Sequence, residues 1–598
     1  MLKRRVADII ADCLVKNGIQ DVFCLVGGGS MFINDALGHK EGLTVTYLHH
    51  EQSCSMAAEG YVRATGNMAA VCVTTGPGGT NAITGVLGAF QDNYPMLIIS
   101  GQVRKPTGVE STGLSLRFMG EQEHNIVSTV RPLTKYAKYI DDSDRIVLEI
   151  EKAIHIALDG RRGPVWLDIP MDVQNAEIDE DCISHYAAPQ SRTNWDIDQF
   201  LQELHSAKRP VILTGSAIRS TGSVDKFRSL AHKMGIPVLA ATYNGDLFVN
   251  NDPIFYGGFG IIGGRAGNFI MQNADLIIGL GCRMAFRQIG FNYTQFSPNS
   301  RRMVVDADEN ELLKPTLRID VPIHADINTV IDDLLDVEDV VFGDECNWLD
   351  YCNDLRNKYP IYQEKFNTAK DGQINPYYFG KTLKSHLSDD SIIVLGNSTI
   401  AAHILQLGIE KEHQRIINNM NCGSMGYDLP AAIGAAIGTK RPITLITGDG
   451  SIMLNIQELM SAKHYALPIK IFIGANGGYR GVVRSQSNMF GGRYTGCTPD
   501  TGVEIPDFSK VSQAFEIEYV KLHCHDELDK ALDYIYSNNK LMVIEWPQDP
   551  DQLIEPRVMN RKNEHGDIVS TDIDDLSPFL SREEYERMQY SNWILERH

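Results

Sequence analysis

Short apolar runs recur along the chain, each ending in Gly, Thr, Ser or Asp. The clearest are Ala69–Val73, Met96–Ile99, Val211–Leu213, Leu276–Leu280, Met303–Val305, Ile392–Leu395, Ile443–Ile446 and Ile469–Ile473. Stretches with helical spacing lie between them. Runs that are apolar on both faces and alternate with helices predict parallel strands covered by helices on both sides. Residues 6–20 predict an amphipathic helix ending near Gly18. Two polar stretches interrupt the pattern. Residues 175–195 carry Pro189, Ser191 and Asn194, and residues 335–375 are rich in Asp, Asn and Lys before a fresh pattern begins at Asn375. The expectation is three doubly wound α/β domains, at 1–180, 190–335 and 370–550, and a charged tail at 560–598.

Composition narrows the partners. With 76 acidic and 55 basic residues the net charge is −21. That disfavours a nucleic-acid groove or an anionic membrane surface. A small anionic ligand is still accommodated, since a metal ion and a few N–H groups bind one locally. The eleven cysteines form no C-x-x-C pair, which fits reduced thiols in a cytoplasmic protein. No apolar run follows Met1-Leu2-Lys3-Arg4-Arg5, so no signal peptide is expected. No run reaches the ~18 residues of a membrane span.

Chemistry concentrates in one βαβ unit. Strand Ile443–Ile446 runs into Thr447-Gly448-Asp449-Gly450-Ser451, and a helix is predicted over Asn455–His464. Pro468 opens the next strand, which ends at Gly474-Ala475-Asn476-Gly477-Gly478. Asp449 and Asn476 are 27 residues apart (476 − 449). Neighbouring parallel strands bring their carboxyl ends together at the ligand-binding edge, so these two side chains should meet. A carboxylate and an amide oxygen suit Mg²⁺, which also takes phosphate oxygens. Glycines permit close backbone approach, and the following helix start favours anions. Taken singly, Gly-Asp-Gly and Asn-Gly-Gly are ordinary turns.

Together the two turns resemble the signature of thiamine-diphosphate-dependent enzymes, with Ala475 where the first Asn of a usual Asn-Asn stands. The resemblance implies thiamine diphosphate and Mg²⁺ as cofactors, with Asp449, Asn476 and the Gly478 carbonyl as metal ligands. It extends over the chain. His49-His50-Glu51-Gln52 with Ala57-Ala58-Glu59-Gly60-Tyr61 resembles the segment whose glutamate bonds the cofactor's aminopyrimidine. Glu51 takes that place, with Glu59 as competitor. Thr74–Asn81 could be a phosphate loop by composition, but in the family it packs near the pyrimidine. Cys422–Ala432 resembles the segment where a Gly carbonyl (Gly423) accepts the cofactor's amino group and an apolar side chain (Met425) wedges it into a bent shape. Asp428 replaces a commoner Gly and is read as a helix cap. Gly396-Asn397-Ser398-Thr399 resembles a second diphosphate loop, although Gln and His usually stand at Asn397 and Ser398.

Within the family the chain is similar to acetolactate synthases. Phe23–Gly29 resembles a substrate-side glycine loop centred on Gly28, with Val26 where Pro is usual. Glu121-Gln122-Glu123 resembles a segment whose Gln lies beside substrate. The His pair of simple pyruvate decarboxylases is missing; His124 is followed by Asn125. The implied reaction removes CO₂ from a 2-oxo acid such as pyruvate and passes the two-carbon unit to a carbonyl acceptor. A homodimer or homotetramer with sites between subunits is implied as well. In the middle domain, Thr214-Gly215-Ser216, Gly258-Phe259-Gly260, Gly281-Cys282-Arg283, Arg287, Asp306 and Asp326 resemble an FAD-binding domain. Many relatives keep that fold without flavin, the glycines then serving only turns. The tail, with Asp575–Glu584, is similar to relatives of surface-polysaccharide sugar pathways. The basic, aromatic stretch Arg480–Gly496 would suit a keto-sugar nucleotide acceptor, or would be a solvated loop. Rival readings are acetolactate synthase proper, a 2-oxo-acid decarboxylase or oxidase, and a non-catalytic relative. The last would have lost Glu51, Asp449 or Asn476.

Overall fold

The computed structural model describes residues 3–189, 194–241, 244–370, 372–562, 565 and 567–597. Ser191, in the first expected boundary, lies outside them. Three six-stranded parallel sheets follow one another along the chain, each flanked by helices. The first contains β1 (Asp21–Cys24), β2 (Thr44–Tyr47), β3 (Ala69–Val73), β4 (Met96–Gln102), β5 (Tyr136–Tyr139) and β6 (Val165–Pro170). The second contains β7 (Pro210–Thr214), β8 (Val238–Ala241), β9 (Phe255–Phe259), β10 (Leu276–Leu280), β11 (Arg301–Asp306) and β12 (Val321–His324). The third contains β13 (Ile392–Leu395), β14 (Arg415–Ile417), β15 (Ile443–Gly448), β16 (Ile469–Ala475), β17 (Glu518–Lys521) and β18 (Met542–Pro547). The central strands are buried on both faces, as their predominantly apolar runs require, with Thr444 and Lys470 buried among them.

Strand order separates the sheets into two kinds. The first runs β2-β1-β3-β4-β6-β5 and the third β14-β13-β15-β16-β18-β17, the same arrangement. The middle sheet runs β9-β8-β7-β10-β11-β12, the order of dinucleotide-binding domains. In each, the order reverses beside the first strand, and ligands bind at the carboxyl ends there.

The first and third domains meet through two helices, α1 (Glu51–Thr65) and α4 (Asp428–Thr439), which follow the second strands of their sheets. Between those helices in the chain come α2 (Pro77–Asp92) and α3 (Thr399–Gln406). The α1–α4 crossing is backbone against backbone. A Cβ on Gly434 would stand 1.8 Å from the Ala57 carbonyl, and one on Gly60 would stand 2.3 Å from that of Ala431.

Local expectations changed in places. The first helix is Val6–Lys16. The helix expected over Asn455–His464 is a 3₁₀ turn, Ile452–Asn455, and then a helix from Glu458 to His464. The tail docks on the middle domain. Ile573, Met588 and Trp593 enter its core, where Tyr590 meets Trp348 and Tyr351 edge to face and Trp593 meets Tyr351 in the same way. Arg265 donates to the carbonyls of Leu576 and Pro578. Among the described residues no helix is long and apolar enough to cross a membrane.

Candidate active site

In the third domain, β13 pairs with β15 and β15 with β16, so Gly396, Gly448 and Gly474 lie together at the carboxyl ends of adjacent strands. Gly448 is close enough to Ser398 that a Cβ there would stand 3.1 Å from the serine's own. Asp449 is buried, and its Oδ2 accepts the N–H groups of Asn476 (3.0 Å), Gly477 (2.8 Å) and Gly478 (3.3 Å). Burial raises its pKa, while those N–H groups favour the charged form. Gly477 and Gly478 have φ of 79° and 110°, left-handed turns that suit glycine. A Cβ on Gly478 would also strike the Cys497 carbonyl at 2.6 Å. Asn476 is 9% exposed, and its Oδ1 is buried without a hydrogen-bond partner. The Gly478 carbonyl accepts the Arg480 N–H at 3.0 Å, which leaves its second lone pair.

The neighbouring loops are engaged differently from expectation. Asn397 Nδ2 donates to the Gly423 carbonyl, so these two residues meet each other. Met425 is half-buried in the same loop. Ser451 is buried and its Oγ accepts the Gly426 N–H at 3.1 Å. Tyr479 covers Gly450, where a Cβ would stand 2.5 Å from the ring. Asp428 does more than the expected cap. Its Oδ1 accepts the Leu429 N–H, and the carboxylate also accepts from Thr447 and Ser451. It lies wholly buried under Gly396.

In the first domain, His50 caps α1 by accepting the Gln52 N–H, which places Glu51 in the first turn. Glu51 is buried, its Oε2 accepts from Asn81 at 3.0 Å, and Gly78 leaves room beside its Oε1. Glu59 is elsewhere. It lies inside the domain contact, held by Arg63 at 2.6 Å, with burial pushing its pKa to about 7. Gln122, exposed at φ 60°, sets its carbonyl over Gly76. Glu51, Gly78 and Gln122 therefore share the Thr74–Asn81 turn.

The glycine loop is less open than its sequence suggests. Cβ atoms on Gly27 and Gly29 would strike Thr74 at 2.5 Å and Thr75 at 1.8 Å; only Gly28 borders open space. The acceptor region is likewise reduced. Arg484 turns inward to the Pro550 and Gln552 carbonyls, and Arg480 holds the Asn476 carbonyl at 2.6 Å. The two domains are tied near the site by Asn455, which donates to Gln52 Oε1 (3.1 Å) and to the Gly426 carbonyl (2.7 Å).

Comparison with known proteins bears on these two halves. Three family models match: Thiamine pyrophosphate enzyme, N-terminal TPP binding domain, at residues 4–114; the central domain at 197–334; and the C-terminal TPP binding domain at 395–546. The acetolactate synthase large subunit of Lactococcus lactis is 30% identical over 545 residues, covering 90% of this chain and 91% of that protein. The chain belongs to the thiamine pyrophosphate enzyme family. Within it, the chain is acetolactate-synthase-like. The probable large subunit of Methanocaldococcus jannaschii is 30% identical, over 92% of both chains. The isozyme 3 large subunit of Escherichia coli is 28% identical, over 92% of this chain and 96% of that one. The two cofactor-binding domains of this thiamine pyrophosphate enzyme are those that share a strand order.

The central domain of this family member has its own cleft at the switch point between β7 and β10. Gly215, Ser216, Gly281, Arg283, Arg287 and Asp306 line it, and so does Asp326. Gly215 must lack a side chain, since a Cβ would lie 2.2 Å from the Gly281 carbonyl. Gly258, Phe259 and Gly260 do not line it; they turn toward the Arg265–Asn273 helix, where the Gly260 N–H meets Asn268. Sequence reasoning missed Arg161 and Arg162, which reach the cleft from the first domain. Their signal was a basic Gly-Arg-Arg-Gly run in an acidic chain.

Proposed function

We propose that the chain is a thiamine-diphosphate- and Mg²⁺-dependent carboligase. It decarboxylates a 2-oxo acid, with pyruvate as the donor, and transfers the two-carbon unit to a carbonyl acceptor. The observation that carries this is the unpartnered, buried amide oxygen of Asn476, in the turn whose backbone N–H groups hold the Asp449 carboxylate. Buried polar atoms are seldom left unpaired. Two such oxygens with the Gly478 carbonyl fit a hard cation that brings phosphate oxygens of its own.

Bound thiamine diphosphate supplies the electron sink that lets CO₂ leave. The chain supplies the rest. Gly448, Gly450 and Ser451 line one side of the diphosphate crevice, with Asn397, Ser398 and Thr399 on the other. Gly423 and Met425 shape the seat of the ring. Glu51 holds the proton exchanged with the aminopyrimidine, and its burial beside Asn81 keeps water from competing. Gly28 and Gln122 face the substrate. The central cleft is proposed to hold FAD, with Arg283 and Arg287 toward its diphosphate; Arg161 is already paired with Asp308 and Glu311.

The assembly proposed is a cytoplasmic homodimer or homotetramer with sites between subunits. Large apolar side chains stand exposed near the proposed site, among them Val26 (57%), Phe118 (69%) and, at the end of the Arg480–Phe490 helix, Phe490 (58%). The test is incubation with pyruvate, thiamine diphosphate, Mg²⁺ and a panel of acceptors that includes a keto-sugar nucleotide, read by mass spectrometry. A two-carbon gain on an acceptor is expected, and acetolactate would make pyruvate itself that acceptor. Free acetaldehyde as sole product, or no consumption of a 2-oxo acid, overturns the reading.

A further inference from the structure

An amide is a metal ligand only when its oxygen faces the cation; turned over, it presents N–H groups. Something must therefore choose the orientation of Asn476. Gln548, 2% exposed, lies immediately beyond β18, and its backbone N–H extends the ladder by donating to the Ala475 carbonyl at 3.1 Å. Its side chain lies across the ends of β16 and α3. Oε1 accepts from Asn476 Nδ2 at 3.3 Å, and Nε2 donates to Thr399 Oγ1 at 3.0 Å. Gly474 makes the room: a Cβ there would lie 2.6 Å from Gln548 Oε1.

The bonds have a direction. Gln548 is itself an amide, and its Nε2 donates to the Thr399 hydroxyl oxygen. That turns its acceptor end to Asn476 Nδ2 and leaves Asn476 Oδ1 buried with no hydrogen-bond partner. Thr399 Oγ1 accepts from Gln548 and, more weakly, from Asn476 Nδ2 at 3.5 Å, and keeps its own proton to donate. We propose that Gln548 is a positioning residue that fixes the amide of Asn476 as a metal ligand and couples it to Thr399 in the diphosphate loop. It would touch neither metal nor cofactor. Partners that orient metal ligands commonly change metal affinity by about 10–100-fold when removed.

This inference rests on the metal site proposed above, and the test separates the two. Mn²⁺ replaces Mg²⁺ as a probe, and its binding in the presence of thiamine diphosphate is followed by electron paramagnetic resonance. Gln548→Met keeps length and removes both bonds; it is expected to weaken Mn²⁺ binding about 10–100-fold. In an Asn476→Asp background the same substitution should cost less than threefold, because a carboxylate presents an oxygen either way round. Gln548→Glu keeps an acceptor for Asn476 but cannot donate to Thr399. It should retain Mn²⁺ better than Gln548→Met while losing thiamine diphosphate affinity, measured by calorimetry. Unchanged Mn²⁺ binding in Gln548→Met overturns the proposal, as do equal losses in the Asn476 and Asp backgrounds. Absence of Mn²⁺ binding in the native protein overturns the metal site as well.

Discussion

Two carboxyl groups show how position decides chemistry at the residue scale. Glu51 and Glu59 lie on one helix, but Glu51 opens it beside Asn81 while Glu59 is held inside by Arg63. Glu51→Gln keeps the shape and removes the exchangeable acid proton. Activity should fall by about 10²–10⁴, the usual worth of a positioned acid or base, with thiamine diphosphate affinity changed little. Steady-state rates together with calorimetry of cofactor binding check this; a variant at native speed would shift the role to another group. A third carboxyl, Asp168, lies at the end of β6, bonded by Ser100 and Gln102, and burial pushes its pKa to about 7 from 3.8. The folded state thus holds this proton more tightly than the unfolded state. Its contribution to stability falls as pH rises from about 4 to 7 and is level above, by at most ~4 kcal/mol. Asp168→Asn removes that penalty, so its melting midpoint relative to the native protein should rise between pH 5 and pH 7.5. A difference that is constant or shrinks over that range contradicts the assignment.

Elements explain which parts of the site were legible in the sequence. The strands were readable because parallel strands buried on both faces need predominantly apolar runs. Asp449 and Asn476 were readable because one βαβ unit joins them, and their spacing is local. Gln548 was not: it approaches Asn476 from 72 residues away, as a single polar letter after an apolar strand. Nor could letters distinguish Gly28, beside open space, from Gly27 and Gly29, pressed on Thr74 and Thr75. Arg484 read as a ligand for anions because exposed and inward-turned arginines are the same letter. The α1–α4 crossing gives a prediction at this scale. Gly434→Ala would force a methyl into the Ala57 carbonyl, costing about 1–3 kcal/mol as overpacking does. A lowered melting midpoint and faster hydrogen exchange in both helices are expected, whereas Gly28→Ala should leave both as they were. Equal behaviour of the two variants would show that the crossing yields freely.

Two predictions concern the whole molecule. If sites lie between subunits, specific activity should fall on dilution in step with the loss of dimer seen by light scattering. A fully active monomer rules the arrangement out. If the central cleft binds FAD, protein reconstituted with it should retain flavin absorbance after gel filtration, and Arg287→Ala should weaken that retention. A colourless product leaves the cleft to another ligand. The tail bears on the same domain, since Trp593 and Met588 fill its core from the far end of the chain.

The common strand order of the outer domains has a historical reading. In each, the first, second and third strands lead into loops that carry residues of the proposed site. After the first strands come Gly27–Gly29 and Gly396–Thr399, after the second Glu51 and Gly423–Met425, and after the third Thr74–Gly78 and Gly448–Ser451. Such correspondence, loop by loop, is what duplication of one ancestral segment would leave behind. The ancestor would have met a copy of itself across the face where α1 and α4 now cross. Once two copies were fused in one gene, each was released from having to do both jobs. One copy could specialise in a proton and the other in a cradle for anions, at the expense of the likeness between their sequences.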